Sequence, residues 1–331
     1  METPPHNGII EEFRLEFLAF WNQMPNKGFF LTLLGAWFVL FHLLGNSTLG
    51  YARSPSLLGW MYETNASGGT NFLESEGAFS LLVPFIVLFL LWLKRRELLA
   101  LKLQLWWPAM LLLVLALALH VLGYVVQQPR ISIVAFFAGI YALTGLAWGP
   151  AWLRASFFPF FLFAFCVPLG SLAEPLTFRL RLLVSQLVEL VSHFILAIDV
   201  VREGNILRDP SNRYSYEVAA ACSGIRSFIA TLALCVILAF VSCQKTWKRV
   251  LMIASALPLS VLGNLVRMLS IIIAAEIGGQ SSGDWVHEGG PFGLFSLLPY
   301  LLAFAGLLVL EHYLREPGFE SSGHNLAGKT A

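Results

Sequence analysis

Hydrophobic and polar positions in this chain fall into long blocks rather than short alternations. Nearly uncharged blocks occupy residues 29–44, 78–93, 105–126, 131–148, 155–169, 224–241, 250–274 and 292–311. A helix needs about 20 apolar residues to cross roughly 30 Å of hydrocarbon. The pattern therefore predicts an all-α, polytopic helical membrane protein with about eight transmembrane helices, several of them near the short limit. No internal repeat is visible, and no linker is long enough to separate domains. The expected organisation is a cytoplasmic N-terminal segment (1–28), a single helical membrane domain (29–311) and a polar cytoplasmic tail (312–331). Glu11, Glu12 and Glu16 precede the first apolar block. A cleavable signal peptide has a basic start, so the first span is expected to be retained.

Lys and Arg in short loops set the orientation. The clusters Lys94, Arg95, Arg96, Lys102 and Lys245, Lys248, Arg249, together with Arg154 and Arg315, all fall inside if the N-terminus is cytoplasmic and the chain crosses eight times. The segment 177–200 is also rather apolar. It carries Arg179, Gln186, Glu189 and His193 along one helical face, with Leu183, Leu187, Leu190 and Phe194 on the other side. That pattern predicts an amphipathic or re-entrant helix on the outer surface rather than a ninth crossing.

Composition narrows the class further. Of 331 residues, 57% are hydrophobic and only 12% are Asp, Glu, Lys or Arg, against roughly 25% charged in soluble domains. This excludes a soluble cytoplasmic enzyme, a disordered chain and a nucleic-acid binder. Four cysteines are too few for a disulfide scaffold. No pair of His, Cys, Asp or Glu has metal-ligand spacing, so neither a metal nor a cofactor is expected.

The predicted topology brings three reactive side chains to one membrane face. Cys222 precedes the sixth span at its outer end. Arg267 lies 18 residues beyond Arg249, about 27 Å along a helix, close to the outer edge of the hydrocarbon. His287 follows in the outer loop 277–290. A thiolate near a helix N-terminus is an activated nucleophile. An imidazole titrates near neutral pH and can shuttle its proton. A guanidinium offers fixed donors to an oxyanion or a carboxylate. Together these groups describe acyl transfer through a thioester. Ala219, Ala220, Ala221, Ser223 and Gly224 leave room around the sulfur for a peptide backbone.

Each residue also has a plainer reading. Cys166, Cys235 and Cys243 sit in or beside apolar runs and read as packing. A Cys166–Cys222 disulfide is an alternative in an oxidising compartment. Arg267 near a span's edge can snorkel to headgroups, Asn264 one turn earlier can serve as helix–helix glue, and a loop histidine is commonly just solvated.

Three stretches resemble the sequence blocks of the exosortase/archaeosortase family: E-V-A-A-A-C-S-G-I-R-S at 217–227, P-L-S-V-L-G-N-L-V-R at 258–267, and W-V-H-E-G-G-P-F-G at 285–293. They occur in the family's order behind a hydrophobic front half, and a core of about 170–311 carries them. The resemblance implies a membrane-embedded cysteine protease or transpeptidase at the outer face of the cytoplasmic (inner) membrane. Its partners would be exported, membrane-anchored proteins ending in a sorting signal: a Pro-Glu-Pro type motif, a transmembrane helix and a basic tail. A cell-surface acceptor or water would take the acyl group. Cys222, Arg267 and His287 occupy the family's catalytic positions, with Asn264, Glu217, Ser223, Gly224 and Arg226 as supporting or substrate-binding residues. Histidine in the third block resembles the bacterial exosortase branch. The rival readings are a membrane transporter or channel, with Arg267, Glu217 and Asn264 lining its path, and a non-catalytic scaffold for export or assembly.

Overall fold

In lipid a backbone can satisfy its hydrogen bonds within a single segment only as a helix, and helix dominates this chain. The computed structural model describes residues 9–43, 56–66, 78–168, 174–218, 225–290 and 294–315. Among the described residues, every predicted apolar block is largely helical. Three stretches are long and apolar enough to cross a bilayer: Pro129–Trp148, Thr246–His287 and Leu294–Leu314. The pair Ile10–Gln23 and Lys27–Leu43, bent by 99°, adds a fourth if counted as one span, and four further blocks form shorter apolar helices. The protein is a polytopic helical membrane protein.

The chain divides into two compact units, Met1–Pro168 and Leu169–Ala331. The first contains α1 (Ile9–Gln23), α2 (Lys27–Leu43), α3 (Leu57–Ala66), α4 (Ala78–Leu93), α5 (Arg95–Leu99), α6 (Ala109–Val125), α7 (Pro129–Trp148) and α8 (Pro150–Phe161), which runs on as a 3-10 turn (Leu162–Cys166). Helix α3 lies in the connection between α2 and α4. The centre of this unit is α7, buried along most of its length. A Cβ on its Gly139 would land inside the Trp37 ring. Glycine there lets the indole lie against α7 and donate from Nε1 to the Phe136 carbonyl at 3.0 Å. Asn26, with φ 55°, stands at the α1–α2 bend and donates to the Ala147 carbonyl at 3.0 Å, while Trp148 Nε1 donates to the Pro25 carbonyl at 2.9 Å.

The second unit contains α9 (Glu174–Phe194), strands β1 (Val201–Glu203), β2 (Ile206–Arg208) and β3 (Ser215–Glu217), then α10 (Ile225–Ser242), α11 (Thr246–Ala254), α12 (Ala256–His287) and α13 (Leu294–Leu314). The strands form an antiparallel sheet in the order β1-β2-β3, with Leu207 opposite both Arg202 and Tyr216. Nothing in the hydrophobic pattern foretells this sheet, because three-residue strands are too short to show a period of two. Gly263 allows α12 to meet α13 closely, since a Cβ there would press on the Pro299 backbone; small residues serve this purpose at membrane helix crossings.

Helix α9 buries a face that the sequence reading did not single out. Val184 and Val188, spaced by four, enter a core with Leu207, Tyr214, Tyr216 and Val218 of the sheet region and Met268, Ile271, Ile272, Ala275 and Val286 of α12. Arg179, Gln186 and His193 are exposed, and so are Leu183, Leu190 and Phe194. The helix thus has three faces: one packed on the sheet and α12, one polar, and one apolar but uncovered by the protein.

Candidate active site

The site is built on α12. Its 32 residues would make a straight rod of about 48 Å, but Gly279 breaks it, with φ 73° and ψ −171°. That region of backbone space is open essentially to glycine alone. The chain doubles back there, so a Cβ on Gly283 would approach Ala275 Cβ at 2.9 Å. The sequence reading expected a loop over 277–290; the structure instead forms a helical return, residues 280–287, that ends on His287.

The return brings His287 to Arg267. Arg267 Nη2 donates to the His287 carbonyl at 3.4 Å. Arg267 is partly buried, and among the described residues its Nε has no hydrogen-bond partner. A permanently charged, planar donor with a desolvated, unsatisfied N–H is suited to receive an oxyanion or a carboxylate. Asn264, one turn earlier, is buried and donates from Nδ2 to the Ser260 carbonyl at 2.9 Å.

The small sheet braces the return. Ser215 N donates to Gln280 Oε1 at 2.9 Å, and the Tyr216 hydroxyl donates to the Gln280 carbonyl at 2.9 Å. Gln280 Nε2 in turn donates to Asp284 Oδ1 at 2.9 Å. Arg213 Nη2 donates to Glu276 Oε1 at 2.7 Å and to Asp209 Oδ1 at 3.1 Å, and the Tyr214 hydroxyl donates to Glu276 Oε2 at 3.2 Å. The Tyr216 ring stacks near the His287 imidazole, with centroids 6.4 Å apart and planes 23° apart. Burial, helped by the Asp284 charge, pushes the Tyr216 hydroxyl up to about 12, so it stays protonated and keeps donating at neutral pH.

The other sequence-predicted residues divide as follows. Glu217 is exposed, on the opposite side of β3 from Tyr216 and Val218, and accepts from Asn205 Nδ2 at 3.1 Å. Arg226 falls in the first turn of α10. Cys222, Ser223 and Gly224 lie outside the described residues, between Val218 and Ile225. Cys166 is a buried free thiol whose Sγ lies 3.4 Å from the Ser80 carbonyl, so it is not in a disulfide. Among the described residues, no three His, Cys, Asp or Glu side chains gather as a metal site. Sequence reasoning missed Tyr216, Gln280, Asp284 and the reversal. The available signal was the Gly278–Gly279 pair just after the apolar block 250–274.

Residues 72–305 match the sequence model of the transmembrane exosortase family. The chain belongs to that family. The match covers most of the chain and includes every block that carries the candidate site. No curated protein and no solved structure gives a detectable match. Membership makes this exosortase a multi-pass membrane enzyme that processes the sorting signals of exported proteins.

Proposed function

We propose that this exosortase is a cysteine protease or transpeptidase working at the outer face of the cytoplasmic membrane. Its substrates are exported, membrane-anchored proteins whose C-terminus carries a Pro-Glu-Pro type motif, a transmembrane helix and a basic tail. Cys222 gives its thiol proton to His287, and the thiolate attacks the scissile carbonyl carbon. Arg267 steadies the oxyanion of the tetrahedral intermediate. When the C–N bond breaks, His287 returns the proton to the departing amine, leaving a thioester on Cys222. Water, or an acceptor nucleophile at the cell surface, then takes the acyl group and restores the thiol.

The observation that carries this reading is the folding of α12 onto itself, which brings the Arg267 guanidinium to the His287 backbone. The buried cluster supports it. It contains Val218, Met268 and Val286, which lie four residues before Cys222, just after Arg267 and just before His287 respectively. Four residues of chain span at most about 14 Å, a length that lets Cys222 meet these groups in the proposed mechanism. Asn264, Ser223, Gly224 and Arg226 are assigned supporting roles, and Glu217 contributes through Asn205 to the sheet. The test is co-expression of a tagged substrate with the parent and with Cys222→Ala, Arg267→Ala and His287→Ala. Loss of cleavage in all three, with membrane insertion unchanged, is expected; cleavage at the parental level in any of them removes that residue from the mechanism.

A further inference from the structure

The first unit holds an apolar cavity of about 840 Å³. Its walls are largely aromatic, with Phe17 and Trp21 from α1, Trp92 from α4, Phe137 and Trp148 from α7, and Trp152 from α8. Phe13, Leu88 and Phe89 also line it and are exposed, so the cavity opens to the medium around the protein. All of its lining residues belong to the first unit.

We propose that this cavity holds an acyl chain of an anionic phospholipid. Its volume falls in the range of pockets that enclose small ligands, roughly 300–1,000 Å³. Hydrocarbon is the occupant that such a lining selects, and a transmembrane protein is surrounded by it.

Charge identifies the class of lipid. Leu91, Trp92 and Leu98 line the cavity, and the segment between them carries Lys94, Arg95 and Arg96, with Lys102 shortly after. Arg95 already pairs with Glu16 at 2.8 Å and lies over the Trp92 ring at 4.3 Å, holding α1 across the cavity. Arg96 and Lys102 are exposed and complement an anionic headgroup.

Native mass spectrometry of the full-length protein in detergent tests this. The added probes are phosphatidylglycerol, phosphatidylcholine with the same chains, and glycerol phosphate alone. The parent is expected to retain one phosphatidylglycerol at least ten-fold better than phosphatidylcholine, and not to retain glycerol phosphate. Leu34→Trp and Ile140→Phe each fill the cavity, and retention is expected to fall at least ten-fold in whichever keeps the parental melting temperature. The double variant Arg96→Glu/Lys102→Glu is expected to lose the preference between the two lipids. Undiminished retention in a folded cavity-filled variant, no preference in the parent, or equal retention of glycerol phosphate would each overturn the proposal.

Discussion

Arg267 Nη2 reaches the backbone carbonyl of His287 at 3.4 Å although the two residues are twenty positions apart on one helix. On a straight helix they would stand about 30 Å apart. The contact exists because α12 reverses at Gly279, and the small sheet holds the reversal in place through Gln280 and Glu276.

Gly279→Ala is expected to weaken this reversal. No neighbouring atom lies within 4 Å of a Cβ there, so the cost comes from the backbone conformation alone, on the order of 1–3 kcal/mol. A lower melting temperature and reduced substrate processing, with insertion unchanged, are the expected outcomes. An alanine variant that melts and cleaves like the parent would show that the reversal does not need glycine.

Gly283 and Tyr216 should be energetically coupled. A Cβ on Gly283 would run into the Tyr216 hydroxyl, so Gly283→Ala is expected to destabilise the protein by about 1–3 kcal/mol through overpacking. Combining it with Tyr216→Phe removes the colliding oxygen, along with its bond to Gln280. The double variant is expected to be more stable than the two single losses added together, as a double-mutant cycle would measure.

The β2–β3 connection should be acid-sensitive. Hydrogen bonding to Arg213 holds the Asp209 carboxyl below the ordinary carboxylate range. Because the folded value is the lower one, the contribution is complete above the unfolded pKa of about 3.9. It disappears as pH falls through the lowered folded value. Comparing melting temperatures from pH 6 to pH 3, the advantage of the parent over Asp209→Asn is expected to shrink in acid. An advantage that stays constant with pH would contradict this.

Arg267→Lys is expected not to restore processing, although it keeps the positive charge. Lysine is a point charge without the planar fork that faces the His287 carbonyl. Loss of an oxyanion donor typically costs about 100-fold or more in rate. The fraction of tagged substrate cleaved at early times measures this.

How legible all this was depended on the length of each signal. Long apolar blocks announced their helices, and an arginine inside one of them stood out because a charge there is expensive. The sheet was invisible, because Val201–Glu203, Ile206–Arg208 and Ser215–Glu217 carry too few residues for a period to emerge. The stretch around Gly278 and Gly279 read as a loop, since glycine and serine break helices. In the structure one positive φ at Gly279 suffices, and helix resumes on both sides. On α9, two stripes drew attention while a third, with Val184 and Val188, makes the buried contact. Periodicity reveals that a helix has faces, but the partner decides which one is covered.

The central claim is that the Cys222 sulfur carries the substrate's acyl group. Acid-quenching the enzyme during turnover and weighing its Cys222 peptide tests this most directly. The account predicts a mass increase equal to the upstream substrate fragment, released by hydroxylamine and absent in Cys222→Ala, which also fails to cleave. Substrate cleavage continuing at the parental rate in Cys222→Ala would contradict it.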